Sequence, residues 1–223
     1  MAKKLWRTDQ ELFALARTEL FPALAGDVMD KLGLRHQFLP PEIQPLRDDM
    51  VLIGRAMNVL EADCFHEGGN AFGLMFEALD NLKPGEVYVC TGASPTYALW
   101  GELMSLRANK CGAVGALLDG YSRDTKGTLE QNFPCFSRGR YAQDQAGRGR
   151  VIDYRCPLQI GAARIEPGDI LFGDLDGVCV IPRKAEREVF TLAVEKARGE
   201  KVVREAIENG VSAADAFRAF GIM

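Results

Sequence analysis

The sequence predicts a single α/β domain, with strands between about residues 50 and 180 and helices interleaved among them and at both ends. Three observations lead there. Short apolar runs alternate along the middle of the chain with segments of helical spacing. Helix-capping signals stand near both ends. No linker, low-complexity tract or internal repeat interrupts the 223 residues.

The elements follow in order. Thr8-Asp9-Gln10-Glu11 reads as a capping box opening a helix through "ELFALARTELF". A second helix, "ALAGDVMDKLG", stops at Gly33, a helix-terminating glycine. "HQFLPPEIQPL" is an extended proline-rich connection, and "MVLIGRAMNVLEA" runs on as a strand. "NAFGLMFEALDNL" has helical spacing, and "KPGE" turns it into the strand "VYVCTGA". In "ALWGELMSLRANKCG" the spacing predicts a helix packing Leu99, Leu103 and Leu106 along one face and ending at Gly112. "AVGALLDG" is a buried strand, followed by a loop and a short strand around "FPCFSRG". From Val151 the chain is strand-rich, with "EPGD" and "DLDG" (Asp174, Asp176, Gly177) read as turns. After Pro182 it is helical, with a second capping box at Ser212–Asp215.

Composition narrows the function classes. A hydrophobic fraction of 47%, a charged fraction of 26% and a net charge of -4 describe an ordinary globular chain with no basic footprint for nucleic acid. The six cysteines (Cys64, Cys90, Cys111, Cys135, Cys156, Cys179) include no C-x-x-C pair, so they read as reduced thiols and not as a zinc site. "MAKKLWRTDQELF" lacks the apolar core of a signal peptide, and no apolar run approaches the roughly 18 residues of a membrane span. A cytoplasmic protein without membrane or nucleic-acid partners is the expectation. His36 and His66 are far apart and receive no ligand role.

The chemistry-bearing stretch is "GALLDGYSRDTKGTLE". Twenty residues separate Glu102, near a helix start, from the pair Arg123-Asp124 after the next strand. In a strand–loop–helix–strand unit both fall at one end of the sheet. Gly101 lets an anion approach the helix N-terminus, where N–H groups lack partners. Arg123 offers a planar fork for a carboxylate, while Asp124 and Glu102 offer hard oxygens suited to Mg²⁺ or Mn²⁺ rather than Zn²⁺. Together they would hold a metal and a 2-oxo acid. The residues taken singly also fit a solvated loop with a local ion pair and an exposed helix carboxylate. A lysine Schiff base is the competing aldolase chemistry, and neither Lys110 nor Lys126 has apolar strand-end surroundings to depress its pKa.

"WGELMSLRANKCGAVGALLDGYSRD" resembles the central signature of the family that includes 4-hydroxy-4-methyl-2-oxoglutarate (or 4-carboxy-4-hydroxy-2-oxoadipate) aldolases and the regulator of ribonuclease activity A: an acidic residue, twenty residues, then Arg-Asp. "IEPGDILFGDLDGVCVIPR" is similar to its later segment, and "EKVVREAIENGVSAADAFRAFGIM" to its C-terminal helices. The resemblance implies a swivelling-domain-like core layered as αββα, and a metal-dependent pyruvate aldolase with oxaloacetate decarboxylase side activity. It places the metal on Asp124, the pyruvyl group on Arg123, and the pyruvate carboxylate on the backbone amides of Gly101, Glu102, Leu103 and Met104. Glu102 and a glutamate from a neighbouring subunit would orient a water for proton transfer. That glutamate maps to Glu200, ahead of Arg204, with Glu195 as the fallback. The resemblance also implies a trimer or dimer of trimers with the site at the subunit interface. It departs at position 102, where the aldolases carry Asp; Glu keeps the charge and moves the carboxylate by roughly 1.5 Å. The alternative within the same family is a non-catalytic regulator that binds ribonuclease E or another protein. Retention of an acidic residue at 102 favours the enzyme.

Overall fold

The first helix, α1 (Asp9–Glu19), starts as the capping box requires: the Thr8 side chain accepts from Glu11 N at 3.2 Å, and Glu11 Oε2 accepts from Thr8 N at 3.3 Å. The computed structural model describes residues 5–65 and 70–221, so His66 lies outside the described residues. Helix α2 (Pro22–Lys31) follows with proline at its first position, where no N–H is needed, and ends before Gly33. A two-residue strand β1 (Gln44–Pro45) leads to the long β2 (Leu52–Asp63), short α3 (Met75–Asp80) and fully buried β3 (Glu86–Thr91). Then come β4 (Ala98–Trp100), α4 (Glu102–Lys110), β5 (Gly115–Ser122), α5 (Thr125–Glu130) and β6 (Cys135–Arg140). Strand β7 (Gly149–Tyr154), the hairpin β8 (Leu158–Ile160) and β9 (Ala163–Ile165), and the hairpin β10 (Ile170–Asp174) and β11 (Gly177–Ile181) complete the strands. Helices α6 (Glu186–Glu208) and α7 (Ala213–Phe220) close the chain. None of the described helices is long and apolar enough to cross a membrane.

One mixed sheet orders its strands β1-β6-β5-β3-β2-β10-β11, with β4 paired to β5 and β7 to β2. Its centre, β2-β3-β5-β6, is parallel. Those strands are apolar almost throughout because both faces are covered. Alternation divides the residues between two cores. On one face Ile53, Ile170, Phe172, Cys179 and Ile181 pack against α1, α2 and α6. Their neighbours Leu52, Leu171, Val178 and Val180 turn to the other core, shared with α3 and α4. Arg55 of β2 ties the helical layer down through Asp9 (2.6 Å), Glu186 and the Gly168 carbonyl (3.1 Å). The α/β core with helices at both ends is therefore as expected. "EPGD" and "DLDG" are turns: Asp169 accepts from the N–H groups of Glu166 (2.9 Å) and Arg183 (2.8 Å), and Asp174 from that of Asp176 (2.9 Å). Cys90, Cys111, Cys135, Cys156 and Cys179 form no disulfide.

Two expectations fail, and the first is the loop read after β5, which holds helix α5. Second, Leu99, Leu103 and Leu106 do not form a packed helix face. Leu99 is buried in β4, whereas Leu103 and Leu106 are 76% and 46% exposed, and α4 buries Ser105 and Ala108 instead. Gly101 ends the strand and starts the helix, so the helix begins at Glu102, four residues later than spacing suggests.

Glu61 is the anomaly of β2. The pairing with β7 shifts register between Leu60 and Glu61, and the Glu61 side chain points inward on the same face as core Met57 and Val59. It is 2% exposed, and its Oε1 has no hydrogen-bond partner among the described residues. Burial, reinforced by the nearby Asp63 charge, pushes its carboxyl up to about 8. The native state therefore holds a proton that the unfolded chain releases at ordinary carboxylate pH, so stability falls as pH rises from about 4.3 toward 8. Glu61→Gln removes that penalty. Urea unfolding should show the variant nearly equal to wild type at pH 4.5 and more stable by roughly 2–5 kcal/mol at pH 8.5. A difference independent of pH would show that Glu61 ionises normally.

Candidate active site

The site begins with Trp100. Its ring is buried between Tyr88 (centroids 4.9 Å apart) and Phe133 (6.0 Å, nearly parallel). Its Nε1–H donates to Ser105 Oγ at 2.7 Å, and Ser105 donates back to the Gly101 carbonyl at 3.1 Å. The indole thus locks the first turn of α4 onto the end of β4. On the other side, the Trp100 carbonyl accepts from Arg123 N at 2.9 Å, continuing the parallel pairing of β4 with β5. Two segments twenty residues apart are brought edge to edge by one residue's backbone and ring.

Close approach then needs glycine at two places. A Cβ on Gly101 would fall 2.6 Å from Asp124 Oδ2, and one on Gly127 would collide with the Glu102 carboxyl group. Asp124 itself is left-handed (φ 51°, ψ 36°), a conformation that Asp tolerates better than most residues and that swings the chain from β5 into α5. No side chain caps the N-terminus of α4, so its first N–H groups face the opening with only Gly101 before them.

Arg123 reaches over this end. Its Nε lies 3.5 Å from Asp124 Oδ2 and its Nη1 3.1 Å from Asp144 Oδ1. The three side chains are 35%, 45% and 40% exposed, so each ion pair contributes about 0–1 kcal/mol and gives way readily to a bound anion. These groups form the polar end of a half-open cleft of about 280 Å³. The opposite wall is apolar: Phe72, Met75 and Phe76 come from the segment around α3, and Leu103 and Met104 from α4. Beneath it, Gln145 is buried with its Nε2 unpartnered among the described residues.

Of the residues singled out in the sequence, Gly101, Leu103, Met104, Arg123 and Asp124 line this one cleft. Glu102 starts α4 beside them, but its carboxyl packs on Gly127 and α5 and does not line the cleft. Glu200 sits on α6, paired with Lys196 at 3.2 Å in a separate groove with Glu19, Lys201 and Arg204. Within one chain it is not part of the Arg123 cleft, and Glu195 on the same helix does not line the cleft either. Asp144 and the Phe72–Phe76 wall went unread. Asp144 lies in an irregular segment that carries no periodicity, placed by the hydrogen bond from Ala98 N to the Gln143 carbonyl at 2.9 Å.

Among the described residues, no group of three or more His, Cys, Asp and Glu side chains could by itself hold a metal ion. What the cleft does offer is Asp124, a hard carboxylate in its lining, close against the Gly101 backbone. That fits the sparse coordination of Mg²⁺ or Mn²⁺, which take one or two carboxylates and leave the remaining positions to water and substrate.

A family model described as RraA-like, Aldolase/RraA, matches residues 23–180. The chain belongs to the RraA-like family. A relative from Halalkalibacterium halodurans, named as a candidate 4-hydroxy-4-methyl-2-oxoglutarate aldolase, is 31% identical over 182 residues, covering 80% of this chain and 82% of that protein. An uncharacterized protein from Pseudomonas syringae pv. tomato has a similar structure, with TM-score 0.85 and 26% identity over 99% of both chains. RraAS2 of Streptomyces coelicolor, described as an unusual member of the RNase ES inhibitor RraA protein family, shares the fold: TM-score 0.77, 23% identity, 89% of this chain and 98% of that one. The family thus spans proteins named as aldolases and proteins named as inhibitors, and the RraA-like fold by itself does not choose between them.

The Trp100 hydrogen bond can be weighed directly. Trp100→Phe, Ser105→Ala and the double variant form a cycle in urea unfolding, and the expected coupling is about 1 kcal/mol. Strictly additive losses would show that the indole N–H contributes nothing to seating α4.

Proposed function

We propose that this protein is a divalent-metal-dependent pyruvate aldolase that cleaves a 4-hydroxy-2-oxo acid such as 4-hydroxy-4-methyl-2-oxoglutarate, with oxaloacetate decarboxylation as a side activity. The observation that carries it is the meeting of Arg123, Asp124 and the uncapped start of α4 at one end of a cleft. The aldolase name of the relative from Halalkalibacterium halodurans supports the same reading.

The reaction breaks the C3–C4 bond of the substrate. The electron pair stays on C3 as the pyruvate enolate, the C4 hydroxyl gives up its proton, and C3 is then protonated to the methyl group of pyruvate. The amides at the start of α4 bind the carboxylate and set the orientation of the 2-oxo group. Arg123 supplies fixed positive charge where the enolate oxygen develops, in exchange for its contacts to Asp124 and Asp144. Asp124 would hold the metal, which when bound acts as a Lewis acid on the 2-oxo acid. Glu200 of a neighbouring copy is proposed to position the water that moves the proton, together with Glu102 once its carboxyl turns from Gly127 toward the cleft. Because Glu200 does not line its own chain's cleft, it can serve only across a subunit interface, in a trimer or a dimer of trimers. A cytoplasmic location is part of the same proposal.

Pyruvate release, followed through lactate dehydrogenase and NADH, should occur from 4-hydroxy-4-methyl-2-oxoglutarate and from oxaloacetate with Mg²⁺ and stop with EDTA. Arg123→Ala should lower kcat by about 10²–10³, the range for losing one group that stabilises developing charge. Asp124→Ala should abolish the response to Mg²⁺. Full activity in both variants would refute the site. Absence of release from any 2-oxo acid, together with capture of ribonuclease E by the purified protein, would favour the regulator. Light scattering should give a trimer or hexamer; a monomer would remove Glu200 from the mechanism.

A further inference from the structure

We infer that Asp144 is a positioning residue that draws Arg123 off Asp124 and so keeps the Asp124 carboxylate free for the divalent cation. The inference rests on the metal-dependent aldolase reading and adds a residue to it. Asp124 has little freedom. Its backbone is left-handed (φ 51°, ψ 36°), and its Oδ2 lies so close to Gly101 that a Cβ there would fall 2.6 Å away. Arg123 is the movable member. Its N–H is fixed on the Trp100 carbonyl, but its guanidinium stands at the end of a long, partly exposed side chain. Left alone, that cation would settle on the neighbouring carboxylate and compete with a metal for the same oxygens. In the structure it leans the other way. Nη1 lies 3.1 Å from Asp144 Oδ1, whereas Nε stays 3.5 Å from Asp124 Oδ2, longer than an ordinary N–H···O bond.

Asp144 is fastened on both sides. The Gln143 carbonyl accepts from Ala98 N at 2.9 Å, and the Gln145 carbonyl accepts from Arg148 N (2.8 Å) and Gly149 N (3.1 Å), with Gln145 itself buried. A carboxylate on so anchored a turn can hold a guanidinium in one place. Its charge also offsets that of Arg123, which would otherwise repel a cation on Asp124. Both effects act through Arg123. Their size is that of one exposed ion pair, up to about fivefold in a competing equilibrium. Arg123, Asp124 and Asp144 belong to one chain, so their arrangement does not require a neighbouring copy, whichever part of it closes over this end.

The test is Mn²⁺ binding to the full chain in its native assembly without substrate, followed by loss of the free-ion electron paramagnetic resonance signal. Wild type, Asp144→Asn, Arg123→Gln and the double variant form a cycle. Asp144→Asn should weaken binding about three- to fivefold while Arg123 is present. In the Arg123→Gln background the same substitution should leave binding unchanged. Equal weakening in both backgrounds would show that Asp144 attracts the cation directly, and no weakening in either would show that it has no influence. Either result would overturn the inference and leave the aldolase reading standing. Asp124→Ala should abolish the binding. Binding that survives this change, or no binding to wild type, would overturn the inference and the metal-dependent reading together.

Discussion

The placement of Trp100 is the constraint on which the site depends. Its ring fills the core between Tyr88 and Phe133, its N–H fixes Ser105 in the first turn of α4, and its carbonyl receives Arg123 N. Burying an aromatic ring of this size is worth several kcal/mol, far more than any surface ion pair in the cleft. The energy that positions Arg123 and the helix start therefore comes from the hydrophobic core. The polar groups are left under-used, with partners they can release. That division suits a binding site, because groups that stabilise the fold are not available to a ligand.

The same economy explains the local backbone. Gly101 and Gly127 bring Asp124 and Glu102 against main chain that any side chain would push away. Asp124 accepts a left-handed conformation at the junction of β5 and α5, which costs on the order of 1–2 kcal/mol. A solvated loop has no need of such strain, whereas a rigid strand–turn–helix junction can support it. Glu61, buried and protonated at neutral pH, shows the core accepting a second local penalty at the register shift of β2.

Much of the architecture was legible because helix and strand leave different periods in the sequence. The Thr8–Glu11 capping box, the strand at 52–63 and the turns at Glu166–Asp169 and Asp174–Gly177 all rest on short-range rules, and each stands in the structure. Where two elements meet at a single residue the short-range rules fail. Around Trp100 an apolar run serves first a strand and then a helix, and periodicity alone read it as one helix. Leu103 and Leu106 are apolar yet exposed, and no local signal separates such residues from core leucines.

The sequence by itself determined the α/β class, the helices at both ends and the proximity of Glu102 to the Arg123-Asp124 pair, because strand–helix–strand units connect in only a few ways. Tertiary structure decided the rest. It brought Asp144 onto Arg123 from an irregular segment and raised an apolar wall from residues 72–76 opposite them. It also turned the Glu102 carboxyl toward α5 and held Glu200 out of its own chain's cleft. Those outcomes depend on packing between segments distant in sequence, and distance along the chain carries no record of which side chains will share a cavity.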